Sequence, residues 1–286
     1  AIRDRLCSMT RPPICVVNIV STSYAGSTWL NLLLGSHSQA FSVGELKSFR
    51  KHQRVACILD GEKCAFWRQF NPDSEDGHYV QLHNLTGRRF LIVNNSLRYF
   101  PVGSHPMIES KIIHLMRDGR AVSASMLRKG DERSYRKAVA KWLRNVRRNE
   151  RLIARVRPGD VITQGYEKLA ADTPGQVRRL CDFLGIDFEP SMLEYWNVDH
   201  HYLGGNRGTL FSLAQKRQQQ LPDDPRLTGT GKAGPNWDLD HYKRTDAATF
   251  RDERWKRELS PWQLRLFSVL AGRVNRRYGY PAGADA

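Results

Sequence analysis

Short apolar runs alternate with longer amphipathic stretches along this chain, and this alternation is its clearest structural signal. The runs are too short for buried helices and are typical of strands that are covered on both faces. The predicted strands span residues 14–20, 89–93, 111–116 and 161–164. The predicted helices span 30–35, 117–125, 133–157, 174–184, a stretch near 210–221, and 262–277. Strands that alternate with helices predict an α/β fold with a central, mainly parallel sheet flanked by helices.

At 286 residues the chain fits one large domain, so residues 1–286 are interpreted as a single domain. Two regions interrupt the regular pattern. The insert at 46–88 is polar and irregular, and residues 197–250 are rich in glycine, asparagine, aspartate, proline and histidine. Long loops in compact domains are most often functional, so both regions are expected near a binding site.

The segment 21–29, Ser-Thr-Ser-Tyr-Ala-Gly-Ser-Thr-Trp, joins the first predicted strand to the first helix. A strand, a turn rich in glycine and hydroxyl side chains, and a helix N-terminus present converging N–H groups to an anion. Gly26 allows close approach of the backbone, and Ser27 and Thr28 add hydroxyl donors. The segment is not a Walker A loop, because Trp29 follows Thr28 and no lysine lies in the turn. An ordinary turn capped by serine and threonine is the alternative.

A second strand-to-helix junction carries Arg117 and Ser125. Arg117 follows the predicted strand 111–116, and Ser125 lies about two turns into the next helix. Ligands of open α/β sheets bind at the carboxyl ends of strands, so both junctions are expected at one edge of the sheet. The planar guanidinium of Arg117 suits a phosphate, whereas a surface salt bridge with Asp118 is the alternative.

With these two junctions the sequence resembles the sulfotransferase superfamily, which uses 3′-phosphoadenosine 5′-phosphosulfate (PAPS). The resemblance runs in order from about residue 14 to about residue 280 and implies a P-loop-like three-layer fold. It implies that the first turn binds the 5′-phosphosulfate and that Arg117 and Ser125 bind the 3′-phosphate. The cofactor-binding residues that it implies are Tyr24, Ala25, Gly26, Ser27, Thr28, Trp29, Arg117, Ser125, Tyr166, Arg254, Trp255 and Lys256.

Several segments resemble a bacterial-type branch of the superfamily, namely 25–28, 35–37, 41–46, 64–67 and 200–206. Glu45 aligns with the glutamate of the Gly-Glu element that tyrosylprotein sulfotransferases use as a base. The resemblance therefore makes Glu45 the first candidate for a general base; a carboxylate that pairs with Lys47 is the alternative. His37 is the second candidate, with a structural role in a helix-to-strand turn as its alternative. His200 and His201 rank third.

Two positions depart from the pattern of the superfamily. Tyr24 stands where a lysine or arginine usually stabilises the charge of the transferring sulfuryl group. Leu97 stands where many bacterial members carry a lysine, and the candidates that supply this charge are the adjacent Arg98 and Lys47. The departures raise a second hypothesis, a catalytically impaired nucleotide-binding protein of the same fold.

The formal net charge of the chain is +16, from 45 lysine and arginine against 29 aspartate and glutamate side chains. Such an excess favours anionic partners, whether a small polyanion, nucleic acid or an acidic membrane surface. The richest run of charge, 133–157, is interpreted as a helix with a solvated basic face. No nucleic-acid-binding motif accompanies it, so no specific nucleic-acid partner is expected. The oligomeric state stays open.

The apolar runs fall far short of the ~20 residues that span a bilayer, and the residues before the first strand lack the pattern of a signal peptide. We therefore expect no membrane span and a cytoplasmic protein. The lumenal catalytic domain of a Golgi protein is the alternative.

Five cysteines, at positions 7, 15, 57, 64 and 181, are too few for a disulfide scaffold. Cys57 and Cys64 flank a turn-like segment and are interpreted as two free thiols or a local disulfide. A zinc site needs four nitrogen or sulfur ligands, and the spacing of His52 and His78 is not a recognised one. No metal is therefore predicted.

The resemblance to the sulfotransferase superfamily implies an enzyme that moves a sulfuryl group from PAPS to a hydroxyl acceptor by in-line transfer. The acceptor class is a small molecule, a carbohydrate or a lipid, and the expected partners are PAPS, its product 3′-phosphoadenosine 5′-phosphate (PAP) and that acceptor. A P-loop kinase is disfavoured by the absent Gly-Lys-Ser/Thr. A nucleic-acid binder driven by net charge is the remaining alternative.

Overall fold

The computed structural model describes residues 14–45, 57, 59–60, 64–71, 74, 77–95, 106–218 and 239–281. The strands of these residues are β1 (Ile14–Ser21), β2 (Ala40–Gly44), β3 (Phe90–Asn95), β4 (Ile108–Met116) and β5 (Val161–Gly165). They form one sheet in the order β2-β3-β1-β4-β5, in which every pair is parallel. The predicted α/β fold with a central parallel sheet is confirmed.

Helices pack on both sides of this sheet. Those of the described residues are α1 (Ser27–Gly35), α2 (Ala65–Arg68), α3 (His78–Thr86), α4 (Gly119–Arg128), α5 (Tyr135–Ile153), α6 (Tyr166–Ala171), α7 (Thr173–Leu184), α8 (Arg207–Lys216), α9 (Leu239–Arg244), α10 (Trp255–Glu258) and α11 (Pro261–Arg277). Short 3-10 helices span Pro158–Asp160 and Pro190–Asn197. Helix α1 contacts β2 and β3, whereas α4 packs on α5 and α5 on α11. Of the described helices, none combines the length and the apolar content that crossing a bilayer requires.

Strand β1 lies at the centre of the sheet, because β3 and β4 pair with it on either side. Its residues from 14 to 20 are all buried. The polar exception, Asn18, donates from its amide to the Ser110 hydroxyl over 2.8 Å. A strand covered on both faces needs apolar side chains on both, which is why this run has no polar–apolar alternation.

Side-chain caps define where the main helices begin. Ser134 accepts from the N–H of Lys137 and starts α5, so the helix predicted over 133–157 spans 135–153. Ser260 and Gln263 form a capping box at the start of α11, one residue before the predicted helix. A cap satisfies N–H groups that the first turn of a helix leaves unpaired.

The structure differs from the predicted elements in three places. Residues 40–44 form β2, a short buried strand in which Ser42 and Gly44 interrupt the apolar pattern. The insert 46–88 is not irregular throughout, since it contains α2 and α3. The helix predicted near 210–221 spans residues 207–216. It begins at 207 because the Asn206 side chain accepts from the N–H of Thr209 and caps the first turn.

Acid should weaken folding through His114 of β4. Its ring is buried and packs edge-on against Tyr278, with ring centroids 5.6 Å apart. Burial lowers the pKa of His114 from 6.5 to about 4, so between these values the unfolded chain binds a proton that the folded chain excludes. This contribution to stability is therefore complete above pH 6.5 and falls as the pH drops, by about 2 kcal/mol between pH 7.5 and pH 5.

Urea denaturation at these two pH values checks this expectation. His114→Leu should lose about 2 kcal/mol less free energy of unfolding on acidification than the wild type does. His83→Leu, a change at a half-buried histidine of α3, serves as the control and should lose as much as the wild type. Equal losses in all three proteins would show that His114 does not cause the loss of stability in acid.

Candidate functional site

A cleft with a cavity volume of about 310 Å³ lies at the carboxyl edge of the sheet. Among the described residues that line it are Ser23, Tyr24, Gly26, Ser27, Thr28, Trp29, Glu45, Asn94, Arg117, Ser125, Arg128, Tyr166, Asn206, Tyr242, Asp252 and Arg254. The two strand-to-helix junctions meet here because β1 and β4 are parallel neighbours whose carboxyl ends lie side by side.

The turn between β1 and α1 has the backbone of an anion cradle. Tyr24 and Gly26 adopt left-handed conformations, with φ of 64° and 91°. Left-handed residues in such turns direct successive N–H groups toward one point, and the N-terminus of α1 adds its dipole. A side chain does not fit at position 26, because a Cβ atom there would lie 2.4 Å from Cδ2 of Tyr166. Ala25, which the sequence also suggested as a cofactor-binding residue, is buried and is not among the described residues that line the cleft.

Arg117 connects the two junctions. Its Nη1 donates to the carbonyl oxygen of Tyr24 over 2.9 Å, and its Nη2 donates to that of Asp252 over 3.1 Å. The guanidinium carbon lies 4.4 Å from the ring centroid of Tyr166, within the range of a cation–π contact. Burial lowers the pKa of Arg117, but Tyr166, Asp252 and Glu167 outweigh burial and raise it. Arg117 is thus a buried cation with a fixed orientation.

Asp252 lies among three arginines. Arg254 holds its carboxylate in a bidentate pair, with Nε–Oδ1 and Nη2–Oδ2 distances of 2.8 and 3.0 Å. Nη2 of Arg117 and Nη2 of Arg128 lie 3.3 and 3.8 Å from Oδ2. Burial raises the pKa of Asp252, but the three arginines hold it well below its usual range. Glu258 pairs with Arg128 from the other side, so the three arginines share these two carboxylates.

Arg128 is a cleft residue that the sequence analysis does not predict. Its Nη2 donates to Oγ of Ser125 over 3.1 Å, one helical turn earlier on α4. Residues three apart share a helix face, so helical spacing from Ser125 could have identified Arg128 as a cleft residue. No local sequence pattern could have identified Asp252, because nothing near it in the chain places its loop beside α4.

Aromatic rings form one wall of the cleft. The Trp29 ring centroid lies 6.1 Å from that of Tyr166, at an interplanar angle of 74°, and 5.7 Å from that of Phe250. The Tyr166 hydroxyl donates to the carbonyl oxygen of Phe250. Trp29 and Tyr166 thus contribute both to the hydrophobic core and to the cleft surface.

Thr28 connects the cradle to the segment 202–206. Its hydroxyl accepts from the backbone N–H of Asn206 over 2.9 Å and contacts the phenol of Tyr202. The amide of Asn94, at the end of β3, donates to the same phenol over 2.5 Å. Part of the region 197–250 therefore lies against the cleft.

Glu45 lies at the end of β2 and lines the cleft. Its backbone N–H donates to the carbonyl oxygen of Leu203 over 2.7 Å, and Gly44 forms a β-bridge with the same residue. Burial and then the charge of Glu45 raise the pKa of Tyr202, which shows that the two side chains are close. The carboxylate of Glu45 and the turn between β1 and α1 therefore line the same cleft.

His37 lies away from the cleft, in the turn at the other end of α1. Its Nδ1 accepts from the N–H of Gln39 over 3.0 Å, so Nε2 carries the proton and donates to the carbonyl oxygen of Asp187 over 2.9 Å. Glu189 lies 3.4 Å from the same nitrogen. Both ring nitrogens therefore form hydrogen bonds that stabilise the turn. This is the structural role given above as the alternative for His37.

The late basic segment contributes through Arg254. Trp255 instead packs under Arg120, whose guanidinium carbon lies 4.3 Å from its ring centroid, and Lys256 pairs with Glu253 at 3.1 Å. Neither is among the described residues that line the cleft.

Of the positions considered for the charge that stabilises a sulfuryl group, only position 24 lies among the described residues. The hydroxyl of Tyr24 donates to the carboxylate of Asp131 over 2.7 Å. Arg98, Leu97 and Lys47 lie outside the described residues.

Three buried donors of the cleft have no hydrogen-bond partner within the described part of the chain: Nε of Arg117, Nε of Arg128 and Nε1 of Trp29. An unpaired buried donor costs about 1–3 kcal/mol. These groups therefore suit a ligand that is rich in acceptor oxygens, as PAPS is.

Comparison with known proteins agrees with this picture in family and fold. Residues 107–190, which carry Arg117, Ser125 and Tyr166, match the model of the family described as "Sulfotransferase family". Among solved structures, the sulfotransferase domain from the Synechococcus PCC 7002 olefin synthase aligns at 22% identity over 95% of this chain and 97% of that chain, with a TM-score of 0.59. The sulfotransferase domain from the curacin biosynthetic pathway aligns at 21% identity over 91% of this chain and 98% of that chain, with a TM-score of 0.55. The comparison with curated proteins finds no match. The resemblance to the sulfotransferase superfamily is confirmed.

Gly26→Ala should destabilise the cradle more than an alanine at another left-handed glycine. The matched control is Gly87→Ala, where φ is 64° and a Cβ atom would have no neighbour within 4 Å. Both variants should lose about 1–2 kcal/mol of unfolding free energy for the left-handed backbone. Gly26→Ala should lose a further ~1–3 kcal/mol, because its Cβ overlaps with Tyr166. Urea denaturation compares them; equal losses would show that Tyr166 does not constrain the turn.

Proposed function

We propose that this chain is a sulfotransferase that moves a sulfuryl group from PAPS to a hydroxyl group of a small molecule, carbohydrate or lipid. One observation carries the proposal: a single cleft holds both the anion cradle of residues 22–28 and the buried cluster of Arg117, Ser125 and Arg128. PAPS has two separate anionic ends, and these two groups of donors match that requirement. The confirmed family resemblance supports the same function.

In this proposal the cradle binds the 5′-phosphosulfate. The backbone N–H groups around Gly26 and the hydroxyl of Ser27 face the phosphate that becomes the leaving group. Preorganised donors of this kind stabilise developing charge without reorganising during the reaction. Arg117, Arg128 and Ser125 bind the 3′-phosphate, and the unpaired Nε atoms of both arginines supply donors for its oxygens.

Asp252 shares these arginines with the 3′-phosphate. A dianionic phosphate is a stronger acceptor than one carboxylate. The aromatic wall of Trp29, Tyr166 and Phe250 provides apolar surface for the adenine, with Nε1 of Trp29 as an unpaired donor.

The reaction itself exchanges one bond to sulfur for another. The acceptor oxygen forms a bond to sulfur on the side opposite the phosphate, the bond from sulfur to the phosphate oxygen breaks, and PAP leaves with the electron pair. The acceptor hydroxyl must lose its proton, and Glu45 is the carboxylate of the cleft that we assign as general base.

A catalytically impaired nucleotide-binding protein of the same fold is the second candidate. One observation favours it: position 24 holds a tyrosine whose hydroxyl donates to Asp131, so this side chain supplies no positive charge to a sulfuryl group. The two candidates share nucleotide binding and differ in turnover.

Arg117→Lys should weaken PAP binding. Lysine keeps the positive charge but lacks the planar guanidinium. In Arg117 that group donates to the carbonyl oxygens of Tyr24 and Asp252 and has Nε as a further donor. We expect the dissociation constant to rise at least tenfold, or by about 1.4 kcal/mol, in calorimetric titration with PAP. Arg89→Lys is the matched control, because Arg89 pairs with Glu109 at 2.6 Å outside the cleft, and it should bind as the wild type does. No PAP binding by folded wild-type protein would contradict the donor site.

Glu45→Gln should abolish most of the turnover and leave PAP affinity unchanged. Loss of a general base typically costs about 10²–10⁴-fold in rate, measured here as transfer of labelled sulfuryl from PAPS to an acceptor found by screening hydroxylated compounds. Glu194→Gln, the same change at an exposed carboxylate outside the cleft, is the control and should keep full activity. An unchanged rate in Glu45→Gln would assign the base elsewhere, and PAP binding without turnover by the wild type would favour the impaired protein.

A further inference from the structure

Four side chains with metal-binding atoms converge outside the cleft: Cys57, Asp60, Cys64 and His201. The first three belong to the insert 46–88, whereas His201 follows 137 residues after Cys64. One ligand atom from each lies within 4.8 Å of every other. None of the four is among the described residues that line the cleft.

Three of the distances between these atoms match edges of a tetrahedron. Cys64 Sγ lies 3.4 Å from His201 Nδ1, Cys57 Sγ lies 3.5 Å from an Asp60 carboxylate oxygen, and that oxygen lies 3.6 Å from His201 Nδ1. Four ligands at zinc bond lengths of about 2.0–2.3 Å stand about 3.3–3.8 Å apart when the geometry is tetrahedral. These three pairs are therefore already at the spacing that one ion would impose, and all four atoms lie within 4.8 Å of one another.

The chemistry of the set is that of zinc. Two sulfurs, one imidazole nitrogen and one carboxylate oxygen are all ligands that Zn²⁺ accepts, and a mixed sulfur set disfavours magnesium and calcium. Within the insert two residues separate Cys57 from Asp60 and three separate Asp60 from Cys64, spacings typical of ligand pairs on a short turn. Cys57 and Cys64 are both free and buried.

The surroundings orient the proposed ligands. The His201 ring stacks on Phe66, with centroids 4.9 Å apart and an interplanar angle of 3°. The ring nitrogen that faces away from the cluster, Nε2, lies 3.9 Å from a carboxylate oxygen of Asp199. A carboxylate behind a ligating imidazole commonly holds it in place.

We propose that Cys57, Asp60, Cys64 and His201 bind one structural zinc ion. Four protein ligands leave no open position, so the ion has a structural and not a catalytic role. The proposal does not depend on the function of the cleft.

The ion would fasten the insert to the segment that borders the cleft. His201 directly precedes Tyr202, which contacts Thr28, and Asn206 donates to the Thr28 hydroxyl. Trp67 adds a second link, since its Nε1 donates to the carbonyl oxygen of His201 over 2.6 Å. Zinc would thus hold the insert against the acceptor side of the cleft.

Metal content and cobalt substitution test the proposal on the full chain. Protein purified under reducing conditions from zinc-supplemented culture should carry about one zinc per chain by mass spectrometry of metals. Exchange for Co²⁺ should produce the thiolate charge-transfer and visible bands of a tetrahedral site. Cys64→Ser and His201→Asn should lose zinc and these bands, while Cys181→Ser, a change at a buried cysteine in another part of the core, should keep both.

Asp60→Asn keeps an oxygen ligand but removes its charge, so it tests the site should the other variants fail to fold. We expect its zinc affinity to fall at least tenfold in competition with a chromophoric chelator. Chelation should lower the melting temperature of the wild type and leave that of a metal-free variant unchanged. Reduced wild-type protein that takes up no Zn²⁺ or Co²⁺, or a disulfide between Cys57 and Cys64 in the purified protein with no uptake after reduction, would overturn the proposal. Equal zinc loss in Cys181→Ser would overturn it as well.

Discussion

Parallel pairing of β1 with β4 is the constraint on which the cleft depends. The register sets Ser21 opposite Leu115, so the chain leaves both strands at the same edge and at the same height. The cradle that follows β1 and the arginine that follows β4 are therefore neighbours, although 93 positions separate Tyr24 from Arg117. Their direct hydrogen bond joins two strand-to-helix junctions that a different strand order would separate.

Buried charge is the second requirement of this edge. Each arginine in the cleft loses hydration, and a buried cation is tolerated where carboxylates, carbonyl oxygens or ring faces replace the water. Asp252, the Tyr24 carbonyl and the Tyr166 ring do this for Arg117. They satisfy part of its guanidinium and leave Nε unpaired. The same contacts thus stabilise the fold and keep a donor ready for an anion.

The opposite side of the cleft is held by loops and not by the sheet. The segment 201–206 contacts β2 through Leu203, the cradle through Asn206 and the insert through His201. The segment therefore connects the insert to the neighbourhood of Glu45. The structural metal site proposed for the insert would fix one end of this connection.

The sequence by itself determined four of the strands, the cradle and its partner Arg117, because an apolar run or a strand–turn–helix signal is local in the chain. Arg128 was not predicted, although helical periodicity places it on the same face of α4 as Ser125. Only the tertiary structure decided that Asp252 lies among the arginines, that His37 is engaged by Asp187 and Gln39, and that His201 joins two cysteines of the insert. The reason is physical: these contacts join loops far apart in the chain, and their geometry follows from how the whole fold packs and not from any local pattern of residues.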